Sequence, residues 1–95
     1  MSKKLTVGIP TYNRLRFLKK QITFLKSEFN QNKSLLDDID FIVCDNASQD
    51  GTNVFLKKLE NENDFFKCYV NSDNLGLIGN VTKLLSLSTT DFVWF

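Results

Sequence analysis

The chain has 95 residues, which is room for one domain and no more. Its composition, 42% hydrophobic and 24% charged with 4 Gly and 1 Pro, excludes disordered, collagenous and low-complexity classes. A net charge of +1 points to no polyanion-binding role, and the absence of His removes Ser-His and Cys-His nucleophile pairs.

A domain of this length buries a core, though only about 60–65% of the surface its unfolded chain exposes. The two cysteines, Cys44 and Cys68, sit inside apolar runs and read as buried thiols in a reducing compartment. Without His they are too few for a structural zinc site. The start, MSKKLTVGIP, has no apolar stretch of signal-peptide length, and no segment approaches the roughly 20 apolar residues of a membrane span. The expected location is cytoplasmic.

In chain order, Leu5 to Ile9 reads as a short apolar strand that ends at Pro10. Leu15, Leu18, Ile22, Leu25 and Phe29 then recur at spacings of three and four, the mark of one helix face about four turns long. Arg14, Arg16, Lys19 and Lys20 read as a solvated basic set. Asn30 to Ser34 closes the helix. Phe41 to Asp45 is apolar on both faces and suits an interior parallel strand. NASQDGT is turn chemistry, with Asp50 or Ser48 able to cap a helix carrying Val54, Phe55, Leu56 and Leu59. Phe65 to Val70 is a third strand. NSDN turns the chain into a third helical face of Leu77, Ile78, Val81, Leu84 and Leu85. Ser88 to Asp91 breaks that helix, and Phe92 to Phe95 begins a fourth strand.

The order βαβαβαβ predicts an α/β fold: a mostly parallel sheet of about four strands with helices on both faces and right-handed crossovers. Residues 1–95 read as one incomplete domain, cut inside a larger fold at an aromatic strand. That last strand, with no neighbour, reads as an unpaired template for self-association.

In open parallel sheets, ligands bind beyond the carboxyl ends of the strands, at a switch in strand order. That rim collects Pro10, Thr11, Tyr12, Asn13 and Arg14, then Asp45, Asn46 and Ser48, then Asn71, Asp73, Asn74 and Gly76. The set suits a nucleotide: a ring to stack on a base, a carboxylate to accept from it, and a cation for phosphate. Plainer readings stand beside this one. Asn13 or Thr11 can cap the first helix, Asp45 can form an Asx-turn, Asp50-Gly51 can be turn and cap, and Asn74 to Gly76 can be a turn. Tyr12 and Arg14 have no turn-specific backbone preference. Neither the P-loop nor the dinucleotide fingerprint is present.

Together these residues resemble the N-terminal half of a family 2 glycosyltransferase, a GT-A (Rossmann-like) fold that uses nucleotide sugars. Pro10-Thr11-Tyr12-Asn13-Arg14 is similar to the family's P-x-Y-N-R, and residues 45–52, DNASQDGT, to its D-[DN]-x-S-x-D-G-T. Asn74, Gly76 and Asn80 are similar to its N-x-G-x-x-x-N, and residues 90–95 to the lead-in to its D-x-D. The resemblance implies that Thr11 and Tyr12 contact the nucleotide, with Asn13 among the binding residues and Arg14 helping at base or phosphate. It implies that Asp45 hydrogen-bonds the base, often uracil, and that Asn74, Gly76 and Asn80 shape the third junction beneath the nucleotide.

It further implies a UDP-sugar donor, a glycan or lipid-linked acceptor, and no nucleic-acid partner. The Mg²⁺ or Mn²⁺ site is expected just past Phe95, with the catalytic base also beyond it. On this reading the whole protein transfers a sugar at the cytoplasmic face of a membrane or free in the cytoplasm, while the 95 residues alone are inactive. A non-catalytic nucleotide-recognition module is the alternative of a different class.

Overall fold

A computed structural model describes residues 4–90 and 92–94. Asp91 and Phe95, which the sequence assigns to the approach to the last strand and to its end, lie outside the described residues. The elements are β1 (Leu5–Thr11), α1 (Leu15–Gln31), a short 3-10 helix (Lys33–Asp37), β2 (Ile39–Asp45), α2 (Thr52–Glu62), β3 (Phe66–Val70), α3 (Gly76–Leu87) and β4 (Phe92–Trp94). The four strands form one sheet in the order β3-β2-β1-β4, and every pairing is parallel.

Alternation along β2 divides the core. Phe41 and Val43 point to one side, where Ile9 and Phe66 join Leu18, Ile22 and Phe29 of α1 and Leu56 and Leu59 of α2. Ile42 and Cys44 point to the other side, against Leu84 of α3. Both faces of β2 are therefore covered, which is why its sequence is a continuous apolar run. The Phe41 ring meets Phe29 edge-on at 4.8 Å and Phe66 at 5.4 Å. Burial of each such side chain contributes about 1.5–3 kcal/mol. The basic set at Arg14, Arg16, Lys19 and Lys20 is exposed, and Lys19 Nζ lies 5.7 Å from the centre of the Phe55 ring, bridging α1 to α2.

Four local expectations are corrected. β1 does not stop at Pro10 but continues to Thr11. The described pairing with β4 reaches only Val7, so on that side Pro10 interrupts no ladder with its missing N–H. β4 is not without a neighbour: it pairs with β1, Leu5 opposite Phe92 and Val7 opposite Trp94, and is an edge strand. α1 is capped by neither Asn13 nor Thr11. Its first free N–H, on Leu15, is met by Asp50 Oδ2 at 3.0 Å from the next junction. Finally, α3 buries only part of its apolar stripe, Leu84 fully and Val81 in part. Leu77, Ile78 and Leu85 are exposed, and its buried residues are Asn80 and Leu84. A polar side chain takes the inward position because it meets polar partners there.

β2 lies on one side of β1 and β4 on the other, so strand order reverses at β1. The crevice that such a reversal creates opens beyond the carboxyl end of β1.

Candidate functional site

The first junction carries Tyr12, Asn13 and Arg14 out of β1. Asn13 sits in the left-handed region at φ 49°, which asparagine tolerates better than most residues. The second junction holds this turn from the side. Asn13 N–H donates to Ser48 Oγ at 2.7 Å, and Asn13 Oδ1 accepts from Gln49 N–H at 2.7 Å. Ser48 is itself fixed by Asp45: its hydroxyl donates to Asp45 Oδ1, and its N–H to Oδ2 at 3.1 Å. Ala47, at φ 63°, makes the tight return that this requires.

Asp50 joins the starts of two helices. One oxygen accepts from Leu15 N–H, and the other from the N–H and hydroxyl of Thr52. The Thr52 hydroxyl, aided by the Leu15 N–H, holds the Asp50 carboxyl below its ordinary range. The turn-and-cap reading of Asp50 is thus extended across 35 residues of sequence.

The third junction is tied to the second by four asparagines. Asn46 Nδ2 donates to Asn74 Oδ1 at 2.8 Å and to Gly76 C=O at 3.1 Å. Asn46 Oδ1 accepts from Leu75 N–H at 2.7 Å and from Asn71 Nδ2 at 3.1 Å. Asn71 Nδ2 also donates to Asn80 Oδ1 at 2.9 Å, and Asn80 Nδ2 closes the set on Cys44 C=O at 2.9 Å. Gly76 N–H donates to Asn74 Oδ1 at 2.8 Å. Gly76 has φ 75°, a conformation a side chain would strain, so glycine fits where the chain turns into α3. Among the described residues no buried side-chain polar atom lacks a partner.

Between these walls lies a cleft of about 330 Å³ lined by Pro10, Thr11, Tyr12, Arg14, Asn46, Asn74, Gly76, Leu77 and Asn80. The structure therefore brings together Thr11, Tyr12, Arg14, Asn74, Gly76 and Asn80 of the residues singled out in the sequence. Asn13 stands beside the cleft as a hinge of its wall. Asp45 does not line it: it is fully buried, with both oxygens on Ser48. Asn46 and Asn71 were legible only as rim residues, and their pairing had no signal in spacing. Tyr12 and Arg14 are exposed, and among the described residues neither side chain has a hydrogen-bond or ion-pair partner.

Both thiols are free. Burial raises Cys44, and burial beside Glu60 pushes Cys68 up to about 12, so neither is a nucleophile at neutral pH. Among the described residues no three His, Cys, Asp or Glu side chains converge to hold a metal ion, and no helix is long and apolar enough to cross a membrane.

A parallel sheet with a cleft at its strand-order reversal is a Rossmann-like α/β fold. The chain belongs to glycosyl transferase family 2, which it matches over residues 6–95. It is 40% identical over 87 residues to the abequosyltransferase RfbV of Salmonella typhimurium, covering 90% of this chain and 25% of that protein. It is 34% identical over 93 residues to the GalNAc(5)-diNAcBac-PP-undecaprenol beta-1,3-glucosyltransferase of Campylobacter jejuni, covering 97% of this chain and 28% of that protein. The chain thus spans about a quarter of the length of these curated relatives. In fold it is similar to the mannosyltransferase PcManGT from Pyrobaculum calidifontis, solved in complex with GDP-Man and Mn²⁺. The TM-score is 0.74 at 19% identity, over 94% of this chain and 25% of that one.

Proposed function

We propose that this chain forms the donor-nucleotide part of a glycosyltransferase that moves a sugar from a nucleoside diphosphate, a UDP-sugar by preference, to a glycan or lipid-linked acceptor in the cytoplasm. The observation that carries this reading is the pair Tyr12 and Arg14, exposed and free of internal partners in the lining of the cleft. An aromatic ring stacks on a base, and a guanidinium takes phosphate in bidentate fashion. At the start of α3 the Leu75 and Gly76 N–H groups are taken by Asn46 and Asn74, and the N–H groups that follow them, with the helix dipole, favour the diphosphate. The sugar-transferring relatives and a neighbour that holds GDP-Man support the same class of ligand.

Thr11 and Asn13 set the depth and turn of the Tyr12 wall, while Asn74, Gly76 and Asn80 set the opposite one. Asp45 is fully buried, so a direct hydrogen bond from the base requires its cover, Ser48 included, to move aside. Without that movement, Asp45 serves the ligand by holding the loop that carries Asn13. Mg²⁺ or Mn²⁺ belongs to the proposal for the whole protein, but the described residues do not fit such an ion: Asp45 is engaged by Ser48, and Asp50 by Leu15 and Thr52. Taken alone, these residues bind the donor nucleotide without turning it over.

Calorimetric titration of the 95-residue chain with UDP, GDP and uridine, with and without Mn²⁺, tests the reading. UDP is expected to bind weakly, better than uridine, with little dependence on Mn²⁺. Absence of binding by any nucleoside diphosphate, or an absolute need for metal, would overturn it.

A further inference from the structure

We propose that Asn46 is a positioning residue for the nucleotide cleft, an inference that rests on the function proposed above. Its carboxamide has two donors and two acceptor sites, and all four are used within the third junction. Its own N–H donates to Thr11 C=O at 2.9 Å. One buried residue therefore ties the end of β1 and the loop after β3 to the end of β2, directly beneath the cleft. With its polar atoms spent, Asn46 acts on a ligand through the groups it holds: the Gly76 turn, Leu77 and the first turn of α3.

The direction of every bond in this network is dictated by a backbone group. Leu75 N–H must meet an oxygen and Gly76 C=O must meet a donor, which orients Asn46. Gly76 N–H must meet an oxygen, which orients Asn74. Cys44 C=O must meet a donor, which orients Asn80. The three orientations agree with one another, so the amide order is unique. An Asn46→Ala substitution removes all four side-chain bonds at once, so Leu75 N–H and Gly76 C=O lose the group that meets them. The junction loosens, and the α3 side of the cleft loses its anchor.

The test makes Asn46→Ala, Asn74→Ala and Leu59→Ala in the whole protein and reads amide hydrogen exchange without ligand, UDP affinity and Tm. Leu59 lies in the core on the buried face of α2, away from the cleft. Asn46→Ala is expected to speed exchange at Leu75 and Gly76 by about tenfold or more while β2 stays protected. It is also expected to weaken UDP by about tenfold or more, with Asn74→Ala giving a smaller loss of the same kind. Leu59→Ala, lowering Tm at least as far, should leave UDP affinity within about twofold. Unchanged exchange at Leu75 and Gly76 in Asn46→Ala overturns the proposal, as does unchanged UDP affinity despite faster exchange. If the parent takes no UDP, the function reading fails and the exchange measurement alone judges Asn46. If Asn46→Ala does not fold, Asn74→Ala, at an exposed site, decides on the same readouts.

Discussion

The two walls of the cleft are held by different chemistry. On the α3 side, Asn46, Asn71 and Asn80 are buried, and neutral amides make the joins. On the Tyr12 side, Asp45 works through Ser48, and the exposed Asp50 reaches Leu15 directly. Amides both donate and accept, so their order is directional and indifferent to pH. Carboxylates only accept, and at Asp50 protonation removes the charge that its donors favour. The contrast separates a wall joined by neutral amides, which tolerates little substitution, from one whose outer join at Asp50 responds to acid.

The strongest way to break the comparison is Asn80→Leu. It takes from Cys44 C=O its side-chain donor and from Asn71 Nδ2 one of two acceptors, at a cost of about 1–3 kcal/mol. In a domain of this size each 1 kcal/mol corresponds to roughly 4–8 °C in Tm, so thermal unfolding reads it easily. A loss below about 1 kcal/mol would show that the amide wall is not the costly one. Next is Gly76→Ala, which has open space for its Cβ but a φ of 75°, and should cost about 1–2 kcal/mol by the same measurement. Smaller in stability but not in binding is Tyr12→Ala. Tm should stay put, while UDP binding weakens by about 0.5–1.5 kcal/mol from lost stacking. Equal affinity would remove Tyr12 from the pocket.

The smallest effect lies on the carboxylate wall. Asp50 is depressed in the folded state relative to its ordinary value of 3.8. Its stabilising contribution is therefore present above that value and lost as pH falls through the lower folded one. Asp50→Asn should flatten that part of the acid unfolding curve and lower neutral stability modestly, because an amide can accept at only one of the two positions that Leu15 N–H and Thr52 N–H occupy. An acid limb identical to the parent's would assign the dependence to other carboxylates.

Much of the architecture was legible because its signals are local and apolar. The spacing from Leu15 to Phe29 and the two-sided run at Phe41 to Cys44 each name an element and its buried face. α3 defeated the same logic, since periodicity counts Leu77, Ile78 and Leu85 and cannot see that Asn80 has partners waiting inside. The candidate site was legible at Tyr12 and Arg14 as residues a turn does not need. Asp45 was legible as important, but its bond to Ser48 was not, because a carboxylate reads alike whether it faces a base or its own loop. The cap on Leu15 was hidden for another reason: its donor and acceptor lie 35 residues apart.

The sheet order carries a cost during synthesis. β1 is made first, yet the edge that receives β4 waits until Phe92 and Trp94 exist, more than eighty residues later. At ribosomal rates of about 5–20 residues per second, that edge stays open for roughly 4–17 s. The newborn chain thus leaves the N–H and C=O groups of that β1 edge unpaired far longer than any helix takes to form, which makes the stretch before β4 arrives the interval in which a chaperone has most to protect.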